Sequence, residues 1–282
     1  MTSIPKRCFT FWQGRNFSKL HYYTIYSLVK YNPGLEIVVY TSRSVNEQVV
    51  TWDTDEHAIE ITNRVPFTSV YNFGEQVKVV TVDLQREYGI SNEISVVHKA
   101  DFIRIAKLYE HGGVWFDFDI LFIRPIPDTI FEKTTTELFY FNLFFVDGKV
   151  LVIPTGFIAA RANLPILKEL LEHAMTESMK PGGYQKIGPE LWTSTFIKHK
   201  DSLTNAVVLD RNIVYPYDHN EVEDLVSNGG VDRVKPNTVG IHWFNGSMHI
   251  KKFINRDRRT ILYPARCPLN KYIRFVETEP FL

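Results

Sequence analysis

KADFIRIAKLYEHGGVWFDFDILFIRPIP, from Lys99 to Pro127, is the stretch on which the fold turns. Phe102, Ile105, Ala106, Leu108 and Tyr109 recur at spacings that place them largely on one side of a helix. Asp101 and Arg104, three apart, share a neighbouring face of it. Gly112-Gly113 ends the helix, since glycine takes positive φ without steric cost. Val114-Trp115-Phe116 reads as a short buried strand. It stops at Asp117-Phe118-Asp119, and a second apolar run, Ile120 to Ile123, follows before Arg124-Pro125. In an extended chain residues i and i+2 point the same way, so both carboxylates can face one spot. Two like charges buried together are costly unless a cation or hydrogen-bond donors neutralise them. An oxygen-liganded Mn²⁺ or Mg²⁺ solves this, filling its other positions with water and a diphosphate. The other reading is a polar strand end facing water. D-x-D alone is a weak signal; the glycine pair, the preceding strand and the helix with Asp101 and Arg104 favour the metal.

Working outward, 282 residues admit one large α/β domain or a domain with an appended lobe. A hydrophobic content of 44% supports a sizeable core, and 32 basic against 32 acidic residues give no broad attraction to nucleic acid or anionic membrane. Cys8 and Cys267 are far apart and give no disulfide framework or metal-ligand spacing, which fits a reducing compartment. The N-terminal residues contain no apolar signal region, and no run reaches the ~20 apolar residues of a membrane span. Leu138 to Val146 is the richest stretch, and it contains Asn142. These features predict a soluble cytoplasmic protein.

On the N-terminal side, Cys8 to Trp12 reads as a strand ending at the loop Gln13-Gly14-Arg15-Asn16. A helix follows over 18–31, then a strand from Leu35 to Tyr40. This β-α-β start favours a parallel sheet, whose ligands sit at strand C-terminal ends. Trp12 is either a core aromatic or a stacking surface for a base. Residues 45–60 read as helix or loop, with Asp53, Asp55 and Glu56 as a solvated acidic run. The segment 72–88 reads as a weak helix, weak because Val77, Val79, Val80 and Val82 are β-branched. A loop over 89–97 leads to the central helix.

On the C-terminal side, 129–153 reads as two strands about the turn Asp147-Gly148-Lys149. Thr155 to Ala160 is a buried strand, and Pro165 to Met175 an amphipathic helix with proline in its first turn. The glycine- and proline-rich 181–190 is a loop of the kind that carries function, and a helix resumes from Glu190 to Lys198. A strand is expected over 206–214 and a last core strand over 239–244. The latter ends in Asn245-Gly246-Ser247-Met248-His249, with Lys251 and Lys252 beyond. His242, the loop and the lysines suit a metal and a diphosphate; the alternative is a solvated basic loop.

Several blocks together resemble one known family. ADFIRIAKLYEHGGVWFDFDI resembles the D-x-D region of sugar-nucleotide transferases of the GT-A fold. The closest likeness is to the family 32-like group with α-1,4-galactosyltransferases, α-1,4-N-acetylglucosaminyltransferases and the initiating yeast mannosyltransferase. IPKRCFTFWQG, YNPGLEIVVYT, TGFIAARANLPIL, YQKIGPELWTSTF and GIHWFNGS resemble further blocks in the family's order, covering roughly residues 4 to 250.

The resemblance implies an α/β GT-A fold with a mixed, mostly parallel, Rossmann-like sheet flanked by helices. It makes 1–282 a single domain: 1–125 the nucleotide-sugar-binding half, and 126–282 the acceptor side with a C-terminal metal and phosphate loop. Asp119 would ligate Mn²⁺ or Mg²⁺, Asp117 would contact the ribose and the metal, and His242 would be the ligand from the far end of the chain. Asp101 and Arg104 would hold donor-sugar hydroxyls. Phe11, Trp12 and Gln13 would lie near the nucleobase, and Asn245, Gly246, Ser247 and Lys251 near the phosphates. The Gly188-Pro189-Glu190 loop would sit between donor and acceptor. Thr155 stands where many relatives carry Asn, so no donor contact carries over to that position. Secretory relatives carry a membrane anchor; this sequence shows no such segment, so an untethered enzyme is expected.

The implied reaction moves a sugar from a nucleotide-sugar donor to a hydroxyl of a glycan acceptor, with the metal and Lys251 or Lys252 balancing the leaving diphosphate. The donor would be a UDP-sugar such as UDP-galactose, UDP-glucose, UDP-N-acetylglucosamine or UDP-xylose. Most relatives retain configuration; an inverting enzyme needs a base, for which Glu190 or Asp218 could serve. Two rivals stand beside this: a sugar-binding module without turnover, and a metal-dependent hydrolase, which usually has a denser ligand cluster.

Overall fold

The computed structural model describes residues 3–43, 64–132, 135–141, 143–144, 151–178, 186–255 and 266–280. The acidic run at Asp53, Asp55 and Glu56, the turn at Asp147-Gly148-Lys149 and the first part of the 181–190 loop lie outside the described residues.

The chain opens with β1 (Arg7–Phe11), β2 (Asn16–Ser18) and helix α1 (Lys19–Tyr31), followed by β3 (Glu36–Ser42) and β4 (Arg64–Pro66). Ser18 starts α1 with a reciprocal cap: its hydroxyl accepts the His21 N–H, and its own N–H donates to His21 Nδ1. After a 3₁₀ segment, Phe67–Gln76, come β5 (Val77–Val82), α2 (Leu84–Tyr88), α3 (Val96–His111), β6 (Gly113–Phe116) and β7 (Ile120–Phe122). The helix expected over 72–88 is therefore mostly absent. A run of β-branched residues makes Val77–Val82 an edge strand, and Asp83 caps only a short helix that Gly89 ends in a left-handed turn.

The rest comprises β8 (Leu138–Phe141), β9 (Leu143–Phe144), β10 (Leu151–Val152), β11 (Phe157–Ala160), α4 (Pro165–Ser178), α5 (Pro189–His199) and β12 (Ala206–Leu209). The last elements are α6 (Val222–Val226), β13 (Gly240–His242), α7 (Met248–Ile254) and α8 (Pro268–Thr278). The strand expected over 206–214 stops at Leu209, because the Asp210 side chain accepts the Asn212 N–H and starts a 3₁₀ turn, Arg211–Ile213. Lys251 and Lys252 lie on α7 instead of extending a loop. The C-terminal helix α8, which carries no family-like block, docks on α1: Tyr23 donates to Glu277, and buried Lys30 donates to the carbonyls of Val276 and Glu279.

Seven strands form one sheet in the order β12-β8-β11-β6-β1-β3-β5. The β5, β3, β1 and β6 pairings are parallel, as is β12 with β8; β11 runs antiparallel to both neighbours. The sheet is thus mixed and mostly parallel, and strands from both halves of the chain share it. Its two faces follow the two-residue period of a strand. Cys8, Ile37, Val39, Val114 and Phe116 pack toward α1, with Ile25 and Leu28. Phe9, Val38, Trp115 and Ile158 pack toward α3 and α5, with Phe102, Ile105 and Trp192. Burial on both faces explains why these strands read as continuous apolar runs.

Gly112 (φ +61°) and Gly113 (φ +117°) let the chain turn from α3 directly into the sheet. A Cβ at Gly112 would lie 2.6 Å from Ala162 N, and one at Gly113 2.6 Å from Arg7 O, so only glycine passes here.

Candidate active site

In the parallel part of the sheet the chain moves outward from β1 to β3 and β5, then returns past β1 to β6. The order reverses between β1 and β6. Ligands of open α/β sheets bind beyond the carboxyl ends of strands at such a point. Gln13 follows β1 there, and Asp117 follows β6.

Asp117 is held from three sides. Its Oδ1 accepts from Arg104 Nη2 at 2.8 Å and from Trp115 Nε1 at 2.8 Å. Its backbone N–H donates to the Gly156 carbonyl at 2.7 Å. Buried Arg104 also donates to Asp101 and, at 2.6 Å, to Thr155 Oγ1, and its guanidinium lies over the Trp115 ring. One arginine thus ties α3 to Asp117 and to Thr155, which precedes β11. Gly188, at the start of α5, packs on Asp101: a Cβ there would lie 2.7 Å from Asp101 Oδ2.

Asp119 Oδ2 accepts the backbone N–H of Asn245 at 2.8 Å, and its carbonyl accepts that of Trp243. The reach from 119 to 245 depends on β13. That strand does not join the large sheet, as a core strand would; it pairs antiparallel with β7, setting His242 opposite Ile120. His242 Nε2 lies 3.2 Å from Asp119 Oδ1 and 3.8 Å from Asp117 Oδ2. The ring is packed between Tyr215 and Phe244, with centroids 5.1 and 4.3 Å away. Phe244 is one of two non-glycine residues of positive φ among the described residues, at +52°, and turns the chain back so that Asn245 meets Asp119.

Electrostatics follow from this packing. Burial pushes the Asp117 carboxyl upward, but Arg104, then His242 and Trp115, hold it below its ordinary range. Asp119 lies above its ordinary value, through burial and through the charge of Asp117, against the pull of His242. Burial lowers His242, but the two carboxylates outweigh it and leave the imidazole more basic than usual. With Asp117 and Asp119 facing the imidazole, the cluster attracts a cation.

Ligand atoms of Asp117, Asp119 and His242 all lie within 4.8 Å of one another. The donor set fits a hard divalent cation: one carboxylate oxygen from each aspartate is engaged elsewhere, leaving the other, plus Nε2, for the ion. The space between them is kept open by Gly156, since a Cβ there would lie 2.7 Å from the Tyr215 hydroxyl, 2.9 Å from Asp117 Oδ2 and 3.0 Å from His242 Nε2.

The other expected residues are placed as follows. Phe11 is buried in the core on the α3 side. Trp12 is half-buried against Phe17, His21 and Phe118. Gln13 accepts from Ser42 Oγ and from buried Lys99 Nζ. Gly246 and Ser247 continue the turn after Asn245 into α7, on which Lys251 is buried and Lys252 exposed. Glu190 is exposed in the first turn of α5. Asp218 caps the 3₁₀ turn His219–Glu221, where its side chain accepts the Asn220 N–H. Gly156, Tyr215, Phe244 and Lys99 were not singled out in the sequence.

The fold is of the GT-A type, with the Asp117, Asp119 and His242 cluster at its switch point. Residues 18–137, less than half of the chain, match the family described as the glycosyltransferase sugar-binding region containing a DXD motif. The O-glycosyltransferase PaGT of Phomopsis amygdali is 26% identical over 134 residues, 45% of this chain; the chain spans only 32% of that relative's length. Among solved structures, the PaToxG glycosyltransferase superposes with a TM-score of 0.50 at 14% identity, over 72% of each chain. The apo form of GlyE from Streptococcus pneumoniae TIGR4 gives 0.48 at 13% identity, over 98% of this chain and 65% of its own. None of the described helices is long and apolar enough to cross a membrane.

Proposed function

We propose that this chain is a metal-dependent glycosyltransferase, one GT-A domain that moves a sugar from a nucleotide-sugar donor to a hydroxyl of a glycan acceptor. The observation that carries the reading is the convergence of Asp117, Asp119 and His242 within 4.8 Å from two distant parts of the chain. In this reading these three residues hold Mn²⁺ or Mg²⁺. When bound, the cation supplies charge neutralisation to the departing diphosphate.

The chain's own residues do the positioning. Arg104 fixes one oxygen of Asp117, and Asn245 fixes one of Asp119, so neither carboxylate reorganises as charge develops. Asp101, on the same arginine and against Gly188, faces the donor-sugar hydroxyls. Trp12 and Gln13, across the switch point, take the nucleobase. The turn Asn245-Gly246-Ser247 and Lys251 hold the phosphates, with exposed Lys252 at the edge. Glu190 lies on the acceptor side, and the transfer retains configuration at the anomeric carbon. The donor is a UDP-sugar. The name of PaGT, an O-glycosyltransferase, agrees with a hydroxyl acceptor, and Cys8 and Cys267, both buried and not joined as a disulfide, suit a reducing, cytoplasmic setting.

The test is to incubate the protein with Mn²⁺ and a panel of nucleotide sugars, with and without oligosaccharide acceptors. Release of nucleoside diphosphate should depend on the acceptor and cease with chelator. Equal release without any acceptor would point to hydrolysis and overturn the reading.

A further inference from the structure

Lys99, two residues before Asp101 on α3, is a fully buried lysine that the proposed reaction does not use. Its Nζ donates to Gln13 Oε1 at 2.9 Å, and the same oxygen accepts from Ser42 Oγ at 2.8 Å. A lysine ammonium has donors and no acceptor, so it can face only the oxygen end of an amide. The orientation of the Gln13 side chain is therefore set by chemistry: Oε1 is turned to Lys99 and Ser42, and Nε2 is the end left over. Among the described residues Nε2 has no protein acceptor.

The place matters as much as the orientation. Gln13 follows β1 at the switch point, Ser42 ends β3, and Lys99 comes from the helix that also carries Asp101 and Arg104. Trp12, its neighbour, packs on Phe118 between the two site aspartates. A donor whose diphosphate lies at Asp117 and Asp119 extends its nucleoside along this crevice toward Gln13.

We propose that Gln13, locked by Lys99 and Ser42, is a specificity-determining residue that donates from Nε2 to an exocyclic carbonyl of the donor's base. It thereby selects nucleoside diphosphates with a keto group at the pyrimidine 4 or purine 6 position, uracil or guanine, over those with an amino group there, cytosine or adenine. An amino group at that point sets donor against donor and leaves both unpaired, which costs more than the absent hydrogen bond alone. Discrimination then resides in a half-buried polar group held in one permitted orientation by a buried lysine, a situation in which rejection is strong. The inference rests on the reading of the chain as a nucleotide-sugar enzyme.

The experiment is calorimetric titration of the whole chain, in Mn²⁺, with UDP, GDP, CDP and ADP, repeated on Gln13→Glu and Gln13→Ala. The wild type should bind UDP and GDP at least about ten-fold more tightly than CDP and ADP. In Gln13→Glu one carboxylate oxygen still accepts from Lys99 while the other faces the base as an acceptor, so the keto preference should vanish or reverse. In Gln13→Ala, which keeps the backbone and removes the amide, the four affinities should converge. If the wild type binds all four alike, or either variant keeps the wild-type order, this inference falls while the enzyme reading stands. If none of the four binds the wild type, both fall.

Discussion

Asp119 Oδ2 accepts the backbone N–H of Asn245 at 2.8 Å, so a residue in the acidic turn is pinned by the loop that follows the last strand. The bond leaves Oδ1 alone facing His242, 3.2 Å away. Neither residue has a neighbour in sequence that announces the other. They meet because β13 pairs with β7.

Asp119→Ala removes the charge and the acceptor for Asn245 together. Transfer should fall by more than the about 10–100-fold typical of losing an outer-shell partner of a metal, while the thermal transition stays cooperative. Activity assays at fixed Mn²⁺ beside a circular dichroism melt check this. Undiminished activity would mean that Asp119 is no ligand.

Gly156→Ala tests the shape of the cluster without touching a charge. The new methyl would crowd the Tyr215 hydroxyl, Asp117 Oδ2 and His242 Nε2, at a stability cost of about 1–3 kcal/mol. The Mn²⁺-induced rise in melting temperature should shrink or disappear, because the methyl occupies the space between the ligand atoms. An unchanged metal response would place the ion elsewhere.

Arg104 is the counter-ion of buried Asp101 and half-buried Asp117, and also donates to Thr155. Arg104→Met leaves Asp101 without a cation and Asp117 with His242 alone, and should destabilise the protein by about 3–5 kcal/mol. Arg104→Lys should recover only part of this, since a point charge cannot serve three partners held by a planar fork. Urea unfolding of the two variants reads both effects.

His21 links stability to pH. It is buried against Trp12 and Trp243, accepts from the Ser18 N–H, and burial pushes its pKa down from 6.5 to about 3. The folded protein keeps this ring neutral, whereas the unfolded chain protonates it near its ordinary value. Its contribution is fully present above about pH 6.5 and is lost as pH falls toward about 3. The slope from this one proton reaches about 1.4 kcal/mol per pH unit. His21→Gln should be less stable at pH 7 and show a flatter decline on acidification, measured by urea unfolding at pH 7, 5.5 and 4.5.

Much of the architecture was readable because its signals are local. The glycine pair at 112–113 marks a helix end whatever surrounds it, and the backbone clash that a Cβ would cause explains why glycine stands there. The strand Arg7–Phe11, helix Lys19–Tyr31 and strand Glu36–Ser42 follow from apolar runs punctuated by Gly, Asn and Pro. Val77–Val82 misread as helix because its valines fit either state until an edge position at β3 decides between them. Phe11 and Trp12 illustrate the opposite limit. Their types suit a base or a core equally, and only packing assigns Phe11 to the core and Trp12 to the half-buried wall beside Phe118.

The sequence by itself determined that an acidic D-x-D turn ends a buried strand after a helix bearing Asp101 and Arg104, because periodicity and the cost of burying paired carboxylates are properties of the chain. Only the tertiary structure decided that His242 comes to that turn, that Tyr215 and Phe244 hold its ring, that Gly156 leaves room between the ligands, and that Lys99 orients Gln13. Each of these depends on strand pairing and packing between residues distant along the chain, and distance along the chain carries no information about distance in space until the core has closed.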